Sequence, residues 1–411
     1  MSRLFAIFVP MIENDVTRDF IRTHADVDVR RLALRTPPTG VNLHWALQQI
    51  EGRQLAARKL PHWAATKGLW WPPRLSLEQC SSQATASYKC KLKGSGNGVM
   101  YDLTGGFGVD FAYLAQGFAQ ANYAERDEML CETVAHNLPI LNLGDARVLC
   151  ADAMEIASRL EQADLVMLDP ARRDTAGRKT VRIEDCTPDI RTLLPTLLPK
   201  TRRVLIKLSP MLDITAAIRA VPQTTEIHVV SVSGECKELL LVVPGQLAPE
   251  TERAQELNLH AVMLSSATSE GKEANTLCFT LSEEQHTALS YAAAVGTWLY
   301  EPDAAVLKAG AVRVAATRYG VTKLAPMSHL YTSDTRIDNW PGKRFQVEGV
   351  YGFSKAELRK LQADTPRADL TARGFPQTVA QLRAKLKIKE GGKAHLFATT
   401  LADGQKVLIK T

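Results

Sequence analysis

The stretch Tyr101-Asp-Leu-Thr-Gly-Gly-Phe-Gly-Val-Asp110 sets three glycines between two carboxylates. Gly105, Gly106 and Gly108 let the backbone turn tightly and approach a ligand where a Cβ would stand in the way. A glycine turn alone says little, because any strand-to-helix connection can use one. The acids around it say more. Asp102 opens the loop, Asp110 follows it, and Glu125 closes the next apolar run. A carboxylate at that offset accepts hydrogen bonds from ribose hydroxyls. Asp152, after a third run, is placed to accept from an adenine amino group. No Gly-Lys-Ser/Thr follows the glycines, which argues against a phosphate cradle.

Acids suit a cationic, phosphate-free cofactor whose amine and sulfonium need negative partners, so the loop favours S-adenosylmethionine over a dinucleotide. The expected cofactor set is Asp102, Thr104, Gly105, Gly106, Gly108, Asp110, Glu125, Asp152 and Asp169. Ligands of an open parallel sheet lie beyond the carboxyl ends of its strands. That rule gathers Asp169-Pro-Ala-Arg-Arg-Asp174, Lys207-Leu-Ser-Pro210 and Ser233-Gly-Glu-Cys-Lys-Glu238 onto the same edge. Asp169, Pro170, Arg172 and Lys207 are the catalytic candidates there, and Arg173, Ser209, Glu235 and Lys237 the substrate-binding ones. Arg172, Arg173 and Lys207 could hold phosphate or stack on a base. The plainer alternative has Asp169 capping the next segment and the arginines solvated. Covalent pyrimidine methylation needs a thiolate. Cys186 and Cys236 are the nearest thiols, but neither follows the fourth or fifth strand. His228 sits inside a strand and reads as a core or edge residue.

The elements that must position these residues alternate from Val99 onward. Strands are expected at Val99–Leu103, Ala121–Glu125, Arg147–Leu149, Leu165–Asp169 and Val204–Leu208, with helices such as Glu128–Asn137 and Asp189–Leu198 between them. That order implies a parallel sheet covered on both faces. Glu226–Ser231 and Glu238–Val243 flank a short gap and predict an antiparallel hairpin. Residues 1–94 read as helical, with apolar spacing at Leu43, Ala46, Leu47 and Ile50 and with Gln48, Gln49 and Gly52 on the other side. Gly94–Gly98 reads as a hinge. The polar Leu77–Lys89 segment could close over the cofactor through Gln79, Ser81 or Thr85, or could be an N-capped helix packed on the first strand. A polar linker is expected from Pro244 to about Glu256, then one helix over Asp303–Tyr319, a β-rich basic region beyond Pro326, and a helix near Thr378–Leu386.

A chain of 411 residues exceeds one ordinary core and predicts two or more domains. With 45% hydrophobic and 23% charged residues it has the composition of a soluble globular protein, and no apolar run reaches the roughly 18 residues that span a bilayer. Leu4–Val9 is too short for a signal peptide and lacks a cleavage pattern. Cys80, Cys90, Cys131, Cys150, Cys186, Cys236 and Cys278 form no CxxC pair, which suits reduced thiols in the cytoplasm and predicts neither disulfides nor a metal site. Net charge is +6, yet Trp340–Thr411 holds 14 Lys/Arg against six Asp/Glu, so the positive excess lies wholly in this segment. Such a surface fits a polyanion such as RNA, or simply a solvated basic face.

These residues, in this order, resemble the motifs of class I S-adenosylmethionine-dependent methyltransferases, with Thr104 where the usual loop has its first glycine and Gly105 as an extra one. By that resemblance Asp102 and the glycines hold the methionine part, Glu125 the ribose and Asp152 the adenine. Asp169-Pro170 stands where amino-methylating members keep an acid or amide before two prolines and an aromatic, but Ala171 and Arg172 fill the remaining places. Glu78-Gln-Cys-Ser-Ser82, Tyr300-Glu-Pro-Asp-Ala-Ala305, Leu330-Tyr-Thr-Ser333 and Arg383–Gly392 extend the likeness to a bacterial methyltransferase family with a ferredoxin-like insert and a C-terminal THUMP-like domain. Arg373-Gly-Phe-Pro376 departs from that family's Arg-Asn-Phe-Pro. The resemblance implies a Rossmann-like α/β core at 95–245 after the helical region 1–94, a ferredoxin-like α+β part at 246–325, and a basic THUMP-like RNA-binding domain at 326–411. An RNA base methyltransferase is the function it implies. A methyltransferase of proteins or small molecules, and a non-catalytic RNA-binding module that keeps the cofactor fold, are the competing readings.

Overall fold

The computed structural model describes residues 14–94, 97–171, 183–265 and 275–411. The chain divides into two units, Met1–Thr225 with Leu241–Gln255, and Glu226–Leu240 with Glu256–Thr411. Leu4–Val9, the Ser95-Gly96 part of the expected hinge, and Arg172 to Asp174 lie outside the described residues.

In the first unit the apolar runs form five strands: β1 (Val99–Asp102), β2 (Gln120–Glu125), β3 (Arg147–Cys150), β4 (Ala163–Leu168) and β5 (Thr201–Leu208). They pair in the order β3-β2-β1-β4-β5 and are all parallel. β4 is buried on both faces from Leu165 to Leu168, as a parallel strand roofed by helices on each side must be. The order reverses at β1, so the connections that leave β1 and β4 depart toward opposite sides of the sheet, and the crevice in which such sheets place their chemistry lies between them.

Among the described residues, six α-helices precede β1: Asp15–Thr23, Val29–Ala33, Leu43–Lys59, Pro61–Ala65, Arg74–Gln79 and Gln83–Lys89. The face of Leu43–Lys59 expected to be polar is buried as well. Gln49 brackets Trp71, donating to its carbonyl at 3.0 Å and accepting its amide at 2.7 Å. A Cβ on Gly52 would stand 2.3 Å from the Trp71 Cβ. The glycine in mid-helix is therefore a packing requirement, and it lets Trp71, Trp63 and Leu77 join Phe107 and Val109 of the glycine loop in one core. The expected linker after Pro244 is anchored: Gly245 and Leu247 donate to the carbonyls of Arg202 and Thr201, Ala248 is buried, and Glu252 pairs with Arg203 at 3.1 Å.

The second unit opens with the expected hairpin, β6 (Glu226–Val232) and β7 (Glu235–Pro244), the latter running on into the first unit. Ser233 (φ 52°) and Gly234 (φ 84°) are both left-handed, the signature of a two-residue type I′ turn. β8 (Asn258–Leu264) adds parallel to β6, and β9 (Asn275–Thr280) antiparallel to β8. Two further sheets follow. β10 (Trp298–Pro302), β11 (Thr322–Lys323), β12 (Tyr331–Ser333) and β13 (Gly342–Gln346) form one, in the order β11-β12-β10-β13. The expected boundary at 325/326 therefore falls inside a sheet. The single helix expected over Asp303–Tyr319 is two, Ala304–Ala309 and Arg313–Tyr319, because Gly310 adopts φ 78° and ends the first.

The last sheet contains β14 (Gly349–Tyr351), β15 (Arg367–Arg373), β16 (Lys389–Thr400) and β17 (Lys406–Lys410), ordered β14-β17-β16-β15. Strand alternation sorts its core. Leu396, Ala398 and Leu408 face the helices Lys355–Asp364 and Val379–Leu386, while Phe397, Val407 and Ile409 join Leu299, Leu324 and Leu330 of the preceding sheet.

Candidate active site

At the carboxyl end of β1 the chain turns sharply and re-enters a helix at Val109. Leu103 donates to Met167 O of β4 at 3.1 Å, and Gly105 to Ala124 O of β2 at 2.9 Å, so the loop is tied to both neighbouring strands. A Cβ on Gly105 would stand 2.1 Å from the Tyr123 ring. That close approach explains the extra glycine. The Tyr123 hydroxyl donates to Gly106 O. Gly106 itself is left-handed at φ 53°, and a Cβ there would meet nothing within 4 Å, so the loop's crest faces open space. Gly108 takes φ 78° at the helix N-terminus.

Four carboxylates surround this loop. Asp102 is buried and accepts the Thr104 amide at 3.1 Å. Burial raises its carboxyl well above the ordinary value; the Thr104 hydrogen bond opposes this, and the charges of Asp110, Asp169 and Glu125 add to it. Glu125 accepts Gly106 N–H at 3.0 Å on one oxygen, and the amides of Arg126 and Asp127 at 2.8 and 3.0 Å on the other. The Thr104 hydroxyl accepts the Asp169 amide at 2.5 Å, locking the loop after β1 to the loop after β4. Threonine at the usual glycine position thus has a structural purpose.

Asp110 anchors a buried polar cluster. Its carboxylate takes a hydrogen bond from Ser81 Oγ at 2.7 Å, pairs with Lys89 Nζ at 3.1 Å, and lies 3.8 Å from Lys207 Nζ. Burial alone would raise its carboxyl, but Lys89 and Lys207 outweigh that and hold it below the usual carboxylate value. Lys207 Nζ in turn donates to Asp169. Lys59 donates to the carbonyls of Leu77 and Glu78 at 3.0 and 2.7 Å, and its ammonium is lowered by burial. Beside it, burial pushes the Cys80 thiol up to about 11.

The structure brings Asp102, Thr104, Gly105, Gly106, Asp110, Glu125, Asp169 and Lys207 together through these contacts. Asp152 instead caps the helix Ala153–Arg159, accepting Met154 N–H at 2.8 Å, and is exposed. Pro170 and Ser209 are buried, with the Ser209 hydroxyl accepting Met211 N–H at 3.1 Å. Glu235 and Lys237 stand in the second unit as an exposed pair 2.7 Å apart at the start of β7. Arg172 and Arg173 lie outside the described residues. Of the polar segment before β1, Ser81 reaches Asp110, Ser82 caps the helix Gln83–Lys89, and Gln79 is exposed. Cys186 is buried, and burial pushes the Cys236 thiol up to about 11, away from nucleophilic thiolate. His228 is buried inside β6, as a core residue would be.

Sequence reasoning missed Lys59 and Lys89. Both sit near the ends of helices, where a lysine ordinarily reads as a solvated partner of the helix C-terminus. The available signal was their place in the segments flanking Glu78–Ser82.

A family model described as a ferredoxin-like domain matches residues 298–341, and one described as THUMP domain-like matches 342–411. Two uncharacterized S-adenosylmethionine-dependent methyltransferases of Mycobacterium tuberculosis, from strains CDC 1551 and H37Rv, are each 26% identical over 366 residues, covering 88% of this chain and 93% of theirs. A crystal structure of a candidate methyltransferase from Porphyromonas gingivalis W83 is 34% identical, covers 96% of both chains and superposes with a TM-score of 0.83. The chain belongs to this family of class I S-adenosylmethionine-dependent methyltransferases.

The methyltransferase's own residues fit that cofactor. Asp102 is an ionisable group made unfavourable by burial and by three neighbouring acids, an environment that a cationic amine and sulfonium relieve. The space over Gly106 admits a ligand against bare backbone.

Proposed function

We propose that this methyltransferase modifies an RNA base, with residues 342–411 docking the RNA and the edge formed by β1, β2, β4 and β5 carrying the chemistry. The observation that carries the RNA reading is the charge of the THUMP-like region: 14 Lys/Arg against six Asp/Glu within 342–411. Its two helices bury Leu361, Leu382 and Leu386 against one sheet face and leave Lys355, Arg359, Lys360 and Lys385 exposed, with exposed Lys387 and Lys389 just beyond the second helix. A surface of that kind binds phosphate backbones with an affinity that falls steeply with salt. No disulfide joins any of the seven cysteines, all of them among the described residues, which agrees with action in the reducing cytoplasm. No helix among the described residues is long and apolar enough to cross a membrane.

In this reading Asp102 and the Gly105–Gly108 backbone hold the methionine end of the cofactor, and Glu125, fixed by three amides, offers its remaining lone pairs to the ribose. Asp152 receives the adenine with the carboxylate oxygen that does not cap its helix. The bound cofactor supplies an electrophilic methyl group on sulfur. Asp169 accepts a hydrogen bond from the attacking amino group of the base, sets its line of approach and takes the proton that nitrogen loses as its bond to the methyl forms and the sulfur–methyl bond breaks; Lys207 and Thr104 hold Asp169 still. Alignment of two bound partners supplies most of the acceleration in such a displacement. Arg173 and Ser209 are assigned to the substrate side of this edge, and Glu235 and Lys237 are kept as substrate-binding candidates of the second unit.

The test is nucleoside mapping of RNA from cells with and without the protein. One methylated nucleoside should vanish in its absence, return with the wild-type chain, and stay absent with Asp169→Ala. An unchanged nucleoside profile overturns the RNA reading.

A further inference from the structure

The strand register of the second unit places a second group of donor side chains on one sheet face. Glu226 and His228 are two residues apart on β6, so both point to the same side. His228 pairs with His260 on β8, and His260 pairs with Cys278 on β9. Glu226, His228, His260 and Cys278 therefore occupy neighbouring positions across three strands, although no short motif links them in the sequence.

The ligand atoms of Glu226, His228 and His260 converge, and Cys278 lies beside His260. Glu226 Oε2 lies 3.0 Å from His228 Nε2 and 3.8 Å from His260 Nε2, and Cys278 Sγ lies 3.9 Å from the same His260 nitrogen. The carboxylate oxygen and the two imidazole nitrogens all lie within 4.8 Å of one another. The two rings are stacked, with centroids 4.2 Å apart and planes 13° from parallel. A tetrahedral zinc ion with ordinary bond lengths holds its oxygen, nitrogen and sulfur ligands roughly 3.3–3.6 Å from one another. The separations of 3.0, 3.8 and 3.9 Å bracket that range; ligation needs the two rings to turn out of their stack and Cys278 Sγ to turn toward the other three. His228 is 2% exposed, and the other three are only partly open to solvent, so an ion here would exchange few contacts with water.

We propose that Glu226, His228, His260 and Cys278 form a transition-metal site that takes Zn2+. Two imidazoles, a thiolate and a carboxylate are the mixed borderline-soft set that this ion prefers, and calcium or magnesium would want oxygens instead. Four protein ligands close the coordination sphere, which makes the site structural, a clasp joining β6, β8 and β9. Binding breaks the hydrogen bond between Glu226 and His228. The proton of that bond moves to Nδ1 of the His228 imidazole, which stays neutral, and the thiol proton of Cys278 passes to solvent.

The experiment uses the untagged full-length chain, stripped with chelator and titrated with Zn2+ alone, and then with Co2+ followed by absorbance. The wild type should bind one ion per chain. His260→Ala should weaken binding by at least ~10-fold, since even outer-sphere changes cost that much. Cys278→Ser should lose the near-ultraviolet thiolate-to-cobalt band. His260→Gln, of closer size, replaces the alanine variant if circular dichroism shows that the latter unfolds. Absence of binding in the wild type, equal zinc affinity in the wild type and the His260 variant, or a thiolate band that survives Cys278→Ser would each overturn the proposal.

Discussion

The hydroxyl of Thr104 accepts the backbone N–H of Asp169 at 2.5 Å. One short contact thus joins the glycine loop after β1 to the loop after β4 that carries Asp169. Thr104→Val keeps the shape and removes the acceptor, so it should lower kcat by roughly tenfold, the cost of about 1–2 kcal/mol for one lost buried hydrogen bond. The KM for S-adenosylmethionine should change little. Steady-state kinetics check this, and a change confined to that KM would place Thr104 with the cofactor alone.

Gly105 owes its identity to Tyr123. Gly105→Ala should destabilise the fold by about 1–3 kcal/mol, the usual cost of overpacking. Tyr123→Ala in the same chain should make the glycine substitution almost silent. Urea denaturation of the four members of this double-mutant cycle measures the coupling. Additive effects would contradict the contact.

Asp102 should trade stability for binding. Its folded-state carboxyl is raised, mainly by burial, so its contribution is fully favourable below the unfolded value and is lost as pH rises through the folded one. At neutral pH the ligand-free Asp102→Asn variant should therefore melt higher than the wild type. The gap should narrow as acid protonates the wild-type side chain, while affinity for S-adenosylmethionine falls at least ~10-fold through the lost charge partner. Thermal melts across pH and calorimetric titrations test both halves.

Lys89 is fully buried and paired with Asp110 at 3.1 Å. Lys89→Met leaves that carboxylate partly uncompensated and should cost about 3–5 kcal/mol. Adding Asp110→Asn should restore much of the loss in chemical denaturation.

The sheet was legible because buried parallel strands read as continuous apolar runs, and all five runs from Val99 to Leu208 are strands of the first unit. Asp102, the glycines and Glu125 were legible from their places at strand ends. Asp110's pairing with its partners was not: Lys207 and Ser81 were named for the same edge, but Lys89 was missed. Lys89 and Lys207 are 118 positions apart in number and meet only through the fold. Helical periodicity ran through Gly310 because a left-handed residue at a helix end leaves the apolar spacing intact on either side. The stretch from Pro244 to about Glu256 reads as a linker because its anchoring is mostly through backbone hydrogen bonds, which leave no mark on composition.

The most direct measurement is transfer of a radiolabelled methyl group from S-adenosylmethionine by the purified chain to RNA from cells that lack it. Label in RNA, recovered in a single nucleoside after digestion and abolished by Asp169→Ala, is the predicted result. Label in protein, or none in RNA from the wild-type enzyme, would contradict the account.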